Sequence, residues 1–183
     1  MRIISGYLGG RRFNPPGSMP HTRPTTDIAK EGLFNILQNR LELEELKTLD
    51  LFGGTGSISY ELASRGVPDL TIIEKDSKMF EFIKKTSAEL GIENFKVIKS
   101  DVFRFIETTT EKFDLIFAGP PYALQTIDEL PKKVFEKQLL NQGGWFILEH
   151  TPRNHYEKAP FYSFSRNYGT TIFSVFINQT NGK

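Results

Sequence analysis

The feature that most constrains the fold is a short apolar run followed at once by a glycine-rich turn, Thr48 to Ser57, with the sequence TLDLFGGTGS. Residues 46–52 are largely apolar, as expected for a strand that is buried on both faces of a parallel sheet. Gly53, Gly54 and Gly56 let the backbone turn tightly, approach a ligand closely and lead into a helix. Because short glycine motifs also occur by chance, a turn without a ligand is the alternative for this loop taken alone.

The length and composition of the chain exclude several classes of protein. With 183 residues and a formal net charge of +1, it is long enough for one substantial core and is not a strongly basic protein of the ribosomal or histone type. The absence of cysteine excludes disulfides and thiolate metal sites and fits a reducing compartment. No apolar run approaches the roughly 20 residues of a membrane span, and the start lacks the apolar core of a signal peptide. We therefore expect a monomeric cytoplasmic protein that does not associate with membranes.

From residue 46 onward, strand and helix patterns alternate. The predicted strands are Leu46–Phe52, Asp69–Glu74, Phe95–Lys99, Phe113–Ala118 and Trp145–Glu149. The predicted helices are Gly56–Arg65, Ser77–Leu90, Val102–Thr108 and Ile127–Leu140. Such repeats predict a parallel sheet with right-handed crossovers and helices on both faces. Two further β-rich runs, Tyr162–Tyr168 and Thr171–Ile177, have no helix between them and should pair as an antiparallel hairpin, which gives an α/β fold with seven strands.

Residues 1–45 are predicted to form a small N-terminal extension, with the main domain at 46–178. A hairpin is expected over residues 2–13, where two short runs flank a glycine-containing turn. The segment TRPTTD then introduces a helix that runs to about Gln38. The expected apolar stripe of this helix is Ile28, Leu33, Phe34, Ile36 and Leu37.

The extension also concentrates positive charge. Four arginines and no acid precede Asp27, and they are Arg2, Arg11, Arg12 and Arg23. A cluster of this kind suggests an arm that contacts phosphates. A solvated basic N-terminus without a ligand is the alternative.

Acidic side chains follow the predicted strands at the points where they end. In an open α/β sheet, ligands bind beyond the carboxyl ends of the strands. Glu74 ends the second strand, 24 residues after Asp50, where a carboxylate can accept from both hydroxyls of a ribose. Asp101 follows the third strand beside the apolar Val102, where it could accept from an adenine amine. Each acid alone could be a helix cap or a surface charge, but their joint placement at consecutive strand ends favours a nucleoside site.

The glycine loop fits a nicotinamide dinucleotide poorly. The dinucleotide fingerprint GxGxxG would need a third glycine where this chain has Ser59, and no GxxxxGK[ST] phosphate loop is present. The loop is better suited to the compact aminoacyl and ribose portion of S-adenosylmethionine (SAM), which has no pyrophosphate. We therefore predict SAM as the cofactor.

A GPPY segment, Gly119 to Tyr122, follows the fourth predicted strand. Two prolines restrict the backbone so that carbonyl groups point at a ligand, and the aromatic ring can stack on a flipped-out base. The segment is similar to the motif of amino-group methyltransferases, in which an acid or amide precedes ProProTyr or ProProPhe and helps to orient the target amine. The adenine amino group of DNA or RNA and the guanine amino group both fit such a motif.

The whole chain resembles the bacterial family that methylates the exocyclic 2-amino group of one guanine in the 16S rRNA of the small ribosomal subunit. The matching segments are MRIISGYLGGRRF, TRPTTDIAKEGLFNIL, LDLFGGTGSISYELASRG, IEKD, SD, FDLIFAGPPY and GGWFILEH. The combination of TRPTTD, DLFGGTG and PPY is much more specific than any one of them. The resemblance implies the Rossmann-like class I SAM methyltransferase fold, a mostly parallel sheet with an antiparallel C-terminal hairpin, and 16S rRNA in the 30S subunit or its assembly intermediate as the partner.

The residues and the resemblance together define the predicted site. The cofactor-binding residues are Arg23, Thr26, Asp50, Phe52, Gly53, Gly54, Gly56, Glu74, Lys75, Asp101 and Val102. The resemblance implies RNA contacts by Arg2, Arg11, Arg12 and Tyr122, and a catalytic segment of Gly119, Pro120, Pro121 and Tyr122. No metal ion is expected, because no group of histidine and acidic residues has metal-ligand spacing.

One position departs from the family pattern. The family has aspartate before the two prolines, and this chain has Gly119. Loss of a positioned hydrogen bond to the reacting amine would lower the rate by about 10²- to 10³-fold. The alternative function is therefore a protein that binds SAM or RNA with weakened or no turnover. Glu149 and His150 follow the fifth strand on the rim of the cleft, where the histidine is expected to be structural.

Overall fold

The structure is a computed structural model that describes residues 1–17 and 24–179. Within those ranges it contains five α-helices, with the bounds α1 Asp27–Arg40, α2 Ser57–Ser64, α3 Ser77–Glu89, α4 Val102–Thr108 and α5 Glu129–Glu136. The strands described there are β1 Lys47–Asp50, β2 Asp69–Glu74, β3 Phe95–Lys99, β4 Phe113–Ala118, β5 Leu140–His150, β6 Tyr162–Tyr168 and β7 Thr171–Ile177. No helix in the described part of the chain is long and apolar enough to cross a bilayer.

The strands form one mixed sheet with the order β3-β2-β1-β4-β5-β7-β6. The first five in chain order pair in parallel, whereas β7 pairs antiparallel with both β5 and β6. The predicted α/β fold with an antiparallel C-terminal hairpin is thus confirmed. Because parallel strands point the same way, the carboxyl ends of β1 to β5 meet at one edge of the sheet, which is called the carboxyl edge below.

Alternate residues of the central strands pack on opposite faces of the sheet, as the pleat requires. Ile116 and Phe146 lie on the face that α4 and α5 cover. Leu115 and Phe117 lie on the face that α1, α2 and α3 cover. Burial on both faces explains why the central strands are almost continuously apolar in sequence.

Two boundaries differ by more than two residues from the sequence-based expectation. The last helix was expected to reach Leu140, but α5 ends at Glu136 and Gln138 has a left-handed backbone with φ of 52°. β5 then begins at Leu140, five residues earlier than expected, because Gly143 and Gly144 are accommodated within the strand. Glycines that look like a turn in sequence are here part of a long irregular strand.

Helix α1 buries most of the expected stripe, including Leu33, Phe34 and Leu37, but not Ile28. Thr26 caps its N-terminus, accepting a hydrogen bond from the Ala29 amide at 3.2 Å. Ile28 was expected in the buried stripe, but it is 74% exposed, and Ala29 and Lys30 occupy the inward positions instead. The prediction for Ile28 was wrong because Ala29, Leu33 and Leu37 recur at intervals of four and define the inward face.

The N-terminal hairpin expected over residues 2–13 is only partly formed. In this segment the structure has a single antiparallel bridge between Arg2 and Arg12, and the Ile3 amide donates to the Arg11 carbonyl at 2.9 Å. Ile3 and Phe13 are buried against the helix α2 side chain Tyr60. The two runs are therefore joined by a few backbone hydrogen bonds, and the segment also packs on α2.

A buried charge cluster fixes this segment to the main domain. The Glu61 carboxylate, fully buried in α2, accepts from the backbone amides of Ile4 and Ser5 at 2.8 and 3.0 Å. It also pairs with Arg65 at 2.9 Å and with the buried Lys30 of α1 at 3.6 Å. Burial lowers the pKa of Lys30, and the charge of Glu61 opposes that shift. One carboxylate thus connects the N-terminal segment, α1 and α2.

Replacing the Glu61 carboxylate should therefore destabilise the whole protein. Glu61→Gln removes the carboxylate that two buried cations share, so we expect the free energy of unfolding to fall by about 3 kcal/mol or more. Urea unfolding followed by circular dichroism measures this loss. Glu81→Gln, at an exposed position of α3, is the control and should change stability by less than about 0.5 kcal/mol. A loss in Glu61→Gln no larger than in the control would contradict this role.

Candidate functional site

A cleft opens at the carboxyl edge between the loops that follow β1, β4 and β5. The residues preceding α1 complete its wall. The lining residues are Pro24, Thr25, Asp50, Phe52, Gly53, Gly54, Thr55, Ser57, Ile58, Phe117, Gly119, Pro120, Pro121, Tyr122 and Glu149. The cleft therefore brings together the predicted glycine loop and the predicted GPPY segment, which are about 65 residues apart in sequence.

The glycine loop connects β1 to α2 through positions that only glycine tolerates well. Gly56 precedes α2 with φ of 80°, and a Cβ there would lie 2.5 Å from the ring of Tyr60. Gly54 has φ of 54°, and its amide donates to Glu74 Oε2 at 2.7 Å. The loop after the first strand is thus tied directly to the end of the second strand.

The buried carboxylate of Asp50 holds the glycine loop in place through hydrogen bonds. The residue is 1% exposed, and its carboxylate accepts from the Ser59 hydroxyl at 2.7 Å and from the Phe52 amide at 3.2 Å. Burial raises the pKa of Asp50 to about 6, although these two hydrogen bonds oppose the shift. The side chain links the end of β1 to α2 and also lines the cleft.

The two other predicted acids lie at the ends of the next strands. The Glu74 carboxylate, half-buried, accepts from the amides of Gly54 and Asp76, and burial raises its pKa. Asp101 is exposed and caps α4 by accepting from the amides of Phe103 and Arg104. Both carboxylates therefore accept hydrogen bonds that stabilise the fold, and both also lie at the carboxyl edge. Their roles in binding remain predictions.

The other predicted cofactor residues divide into three groups. Phe52 lines the cleft and is half-buried, and Val102 is buried at the start of α4. Lys75 is exposed after β2, and Thr26 caps α1 instead of lining the cleft. Arg23 lies outside the described residues.

The GPPY segment forms the opposite wall of the cleft. Pro120 is buried, and the Pro121 carbonyl accepts from the Leu124 amide at 2.9 Å in a tight turn. Tyr122, the aromatic residue of the motif, is 39% exposed and faces the cleft. The backbone of Gly119 does not have the left-handed conformation that would require glycine, so the absence of a side chain there is a feature of the site and not of the turn.

A buried carboxylate lies directly beside Gly119. β4 and β5 pair in parallel with Ala118 opposite Leu148, which places Glu149 next to residue 119. A Cβ at position 119 would lie 3.4 Å from Glu149 Oε2. Glu149 is 5% exposed and accepts from the Thr25 hydroxyl at 2.7 Å.

The surroundings of Glu149 favour its neutral form. Burial raises its pKa to about 7, and the nearby charge of Asp50 adds to the increase. Hydrogen bonds with Thr25 and Tyr122 act in the opposite direction. The cleft therefore contains a carboxyl group that changes protonation near neutral pH, a property that often marks functional sites.

His150, the next residue, points away from this chemistry. It is 2% exposed, and its ring nitrogens lie 2.7 Å from the Ser174 hydroxyl and 2.8 Å from the Thr151 carbonyl. Burial lowers its pKa. These contacts bridge β5 and β7, as expected for a structural histidine.

The predicted RNA-contacting arginines lie on the surface of the N-terminal segment. Arg11 and Arg12 are exposed. Arg2 forms an exposed ion pair with Asp27 at 2.9 Å, so part of its charge is already neutralised. Their contact with RNA remains a prediction.

The carboxyl edge has the groups that SAM requires. Glu74 offers carboxylate oxygens suited to ribose hydroxyls, and Asp101 offers an exposed acceptor suited to an adenine amine. Phe52 and Val102 supply apolar surface between them. The residues present therefore fit this cofactor, and among the described residues no cluster of histidine and acidic side chains is placed to hold a metal ion.

This sheet order, with a glycine loop after β1 and an antiparallel C-terminal hairpin, is that of the class I methyltransferases. A hypothetical protein of Thermus thermophilus has a solved structure that matches with a TM-score of 0.84 and 26% identity, covering 96% of this chain and 98% of the other. An RNA methyltransferase of Salinibacter ruber, solved with S-adenosyl-L-homocysteine, matches with a TM-score of 0.69 and 15% identity, covering 88% and 97% of the two chains. The second likeness shows the fold alone.

The chain belongs to the family described as Conserved hypothetical protein 95, which matches residues 1–177. Relatives named "Ribosomal RNA small subunit methyltransferase D" include that of Escherichia coli K12, 32% identical over 149 residues, which are 81% of this chain and 71% of the relative. The protein of that name from Buchnera aphidicola subsp. Baizongia pistaciae is 33% identical over 149 residues, which are 81% and 75% of the two chains.

The raised pKa of Glu149 predicts a specific dependence of stability on pH. Its folded-state pKa of about 7 exceeds the ordinary glutamate value, so the group stabilises the fold at low pH and this contribution is lost as pH rises through 7. Glu149→Gln should therefore be more stable than the unchanged protein by about 1 to 3 kcal/mol at pH 8, with little difference at pH 4. Urea unfolding at both pH values measures this difference in the free energy of unfolding. An equal effect at both pH values, or the same pattern in Glu81→Gln, would contradict the assignment.

Proposed function

We propose that this protein transfers a methyl group from SAM to the exocyclic 2-amino group of a guanine in 16S rRNA, acting as a monomer on the 30S subunit or its assembly intermediate. The observation that carries the proposal is the juxtaposition, in one cleft, of the glycine loop and the ProProTyr segment. The family relationship and the names of its rRNA methyltransferase members support the same reaction.

The carboxyl ends of β1 to β3 provide the cofactor side of the site. Glu74 accepts from the ribose hydroxyls, Asp101 accepts from the adenine amine, and Phe52 and Val102 contact the adenine ring. The glycine loop leaves room for the aminoacyl portion at the start of α2. The bound cofactor supplies an electrophilic methyl on a sulfonium and carries its own leaving group.

The protein's own contribution is proximity and orientation. Tyr122 is exposed enough to stack on a base that has left the RNA helix, and Pro120 and Pro121 hold that ring at the mouth of the cleft. An amine held against the methyl group at the required distance reacts far faster than one that diffuses, and no strong base is required for such a transfer.

The N-terminal extension, residues 1–45, supplies the RNA-contacting surface in this proposal. Arg11 and Arg12 are exposed, and Arg2 can exchange its pairing with Asp27 for a phosphate. Contacts of this kind fix the register of an RNA without reading its sequence.

An adenine amino group is the second candidate target, because the ProProTyr motif serves both amines and Gly119 offers no acid of its own. Methylation assays distinguish the two. The protein is incubated with radiolabelled SAM and 30S particles, or their rRNA, from a strain that lacks the modification, and the labelled nucleoside is identified by mass spectrometry. We expect a single labelled N2-methylguanine.

Three other results would contradict the proposal in different ways. Label on adenine alone would establish the second candidate. Binding of SAM without transfer to any RNA, followed by transfer in Gly119→Asp, would show that the native chain is a binding protein with a lost acid. Failure to bind SAM at all would reject the methyltransferase assignment itself.

A further inference from the structure

The cleft has a space where an acceptor for the substrate amine is needed, and it has a buried acid beside that space. Gly119 contributes no side chain at the end of β4, where the proposed target amine must be oriented. Glu149, at the end of β5, lies on the adjacent strand in register with it. We propose that Glu149 supplies the carboxylate that accepts a hydrogen bond from the target amine, in place of a side chain at position 119. This inference rests on the proposed function.

The distances support this exchange of roles. Glu149 Oε2 is 3.4 Å from where a Cβ of residue 119 would lie, so the carboxylate occupies the region that a short acidic side chain at 119 would reach. The Phe117 ring lies on the other side, 3.1 Å from the same point, and would have to shift by a few tenths of an ångström to admit a side chain at 119. Because Gly119 has no side chain, the Glu149 carboxylate on the next strand has room beside the end of β4.

Asp50, which also lines the cleft, and Glu74, at the end of the neighbouring strand, have other partners. The Asp50 carboxylate is held beneath the glycine loop by Ser59 and the Phe52 amide. Glu74 is engaged by the amides of Gly54 and Asp76 on the cofactor side. Glu149 is the acid on the GPPY side of the lining, and its hydrogen bonds with the hydroxyls of Thr25 and Tyr122 leave further acceptor positions of the carboxylate for a ligand.

The position of Glu149 also accounts for the proton that the reaction releases. As the bond between nitrogen and methyl forms and the bond between sulfur and methyl breaks, the amino group must give up one proton. A carboxylate that accepts the hydrogen bond from that group is placed to take it. The titratable groups facing Glu149 are Asp50 and Tyr122, and burial raises the pKa of Glu149 to about 7, so its ionised form is populated at and above neutral pH.

Four proteins test the inference with SAM and the RNA substrate: the unchanged chain, Glu149→Gln, Gly119→Asp and the double variant. Glu149→Gln should lower kcat by about 10²-fold or more, while its affinity for SAM changes less than about twofold. Gly119→Asp alone places a second carboxylate against Glu149 and should also be impaired. The kcat of the double variant should be at least about tenfold higher than that of Glu149→Gln, because an aspartate at 119 then replaces the missing acid.

The pH profile separates a direct role from a structural one. In the unchanged chain kcat should fall as pH drops below about 7, because protonated Glu149 is a weaker acceptor and can no longer take the proton of the amine. Glu149→Gln should lose this limb, whereas Glu81→Gln, the control, should retain both rate and profile. Urea unfolding confirms that the variants are folded.

The outcomes distinguish the inference from the proposed function. If the unchanged chain methylates no RNA, the proposed function fails. If it methylates guanine and Glu149→Gln does so equally well, the inference about Glu149 is wrong and the function stands. A slow Glu149→Gln that Gly119→Asp does not rescue, and that keeps the pH limb, would also overturn the inference.

Discussion

Parallel pairing of β1 with β2 on one side and β4 on the other is the constraint on which the site depends. Asp50 pairs in register with Ile72 and with Phe117, so the loops that follow these strands all leave the sheet at the same edge. The hydrogen bond from the Gly54 amide to Glu74 then joins the first loop to the second strand. A shift of this register by one residue would invert the buried faces and separate every group of the cleft.

Several carboxyl groups are partly or fully buried at the same edge, and burial of their charged forms costs folding free energy. Burial raises the pKa of Asp50, Glu74 and Glu149, so each is less stable as an ion than it would be in water. Asp50 and Glu74 offset the cost by accepting hydrogen bonds that shape the loop, whereas Glu149 is held by Thr25, just before α1. A protein retains buried acids of this kind where activity requires them, at some loss of stability.

Sequence patterns predicted the fold well because the alternation of apolar strands and capped helices is local. The bounds of α4 were predicted to the residue, and the C-terminal hairpin is confirmed. The buried face of α1 was predicted wrongly at Ile28, since tertiary packing chose between two similar stripes. Glu149 was placed on the rim but not assigned to the site, because its proximity to Gly119 comes from the pairing of β4 with β5 and not from any motif. Its position at the end of a strand, which it shares with Asp50, Glu74 and Asp101, is the signal in the sequence that points to it.

Calorimetric titration of the protein with SAM measures whether the carboxyl edge of this sheet binds the cofactor, as we propose. Glu74→Gln removes charge from the proposed ribose acceptor and should weaken binding by about 10- to 100-fold, a loss of about 1.4 to 3 kcal/mol. Glu81→Gln, an exposed control, should bind as the unchanged chain does. Equal affinity in Glu74→Gln and the control, or no binding by the unchanged chain, would contradict the account.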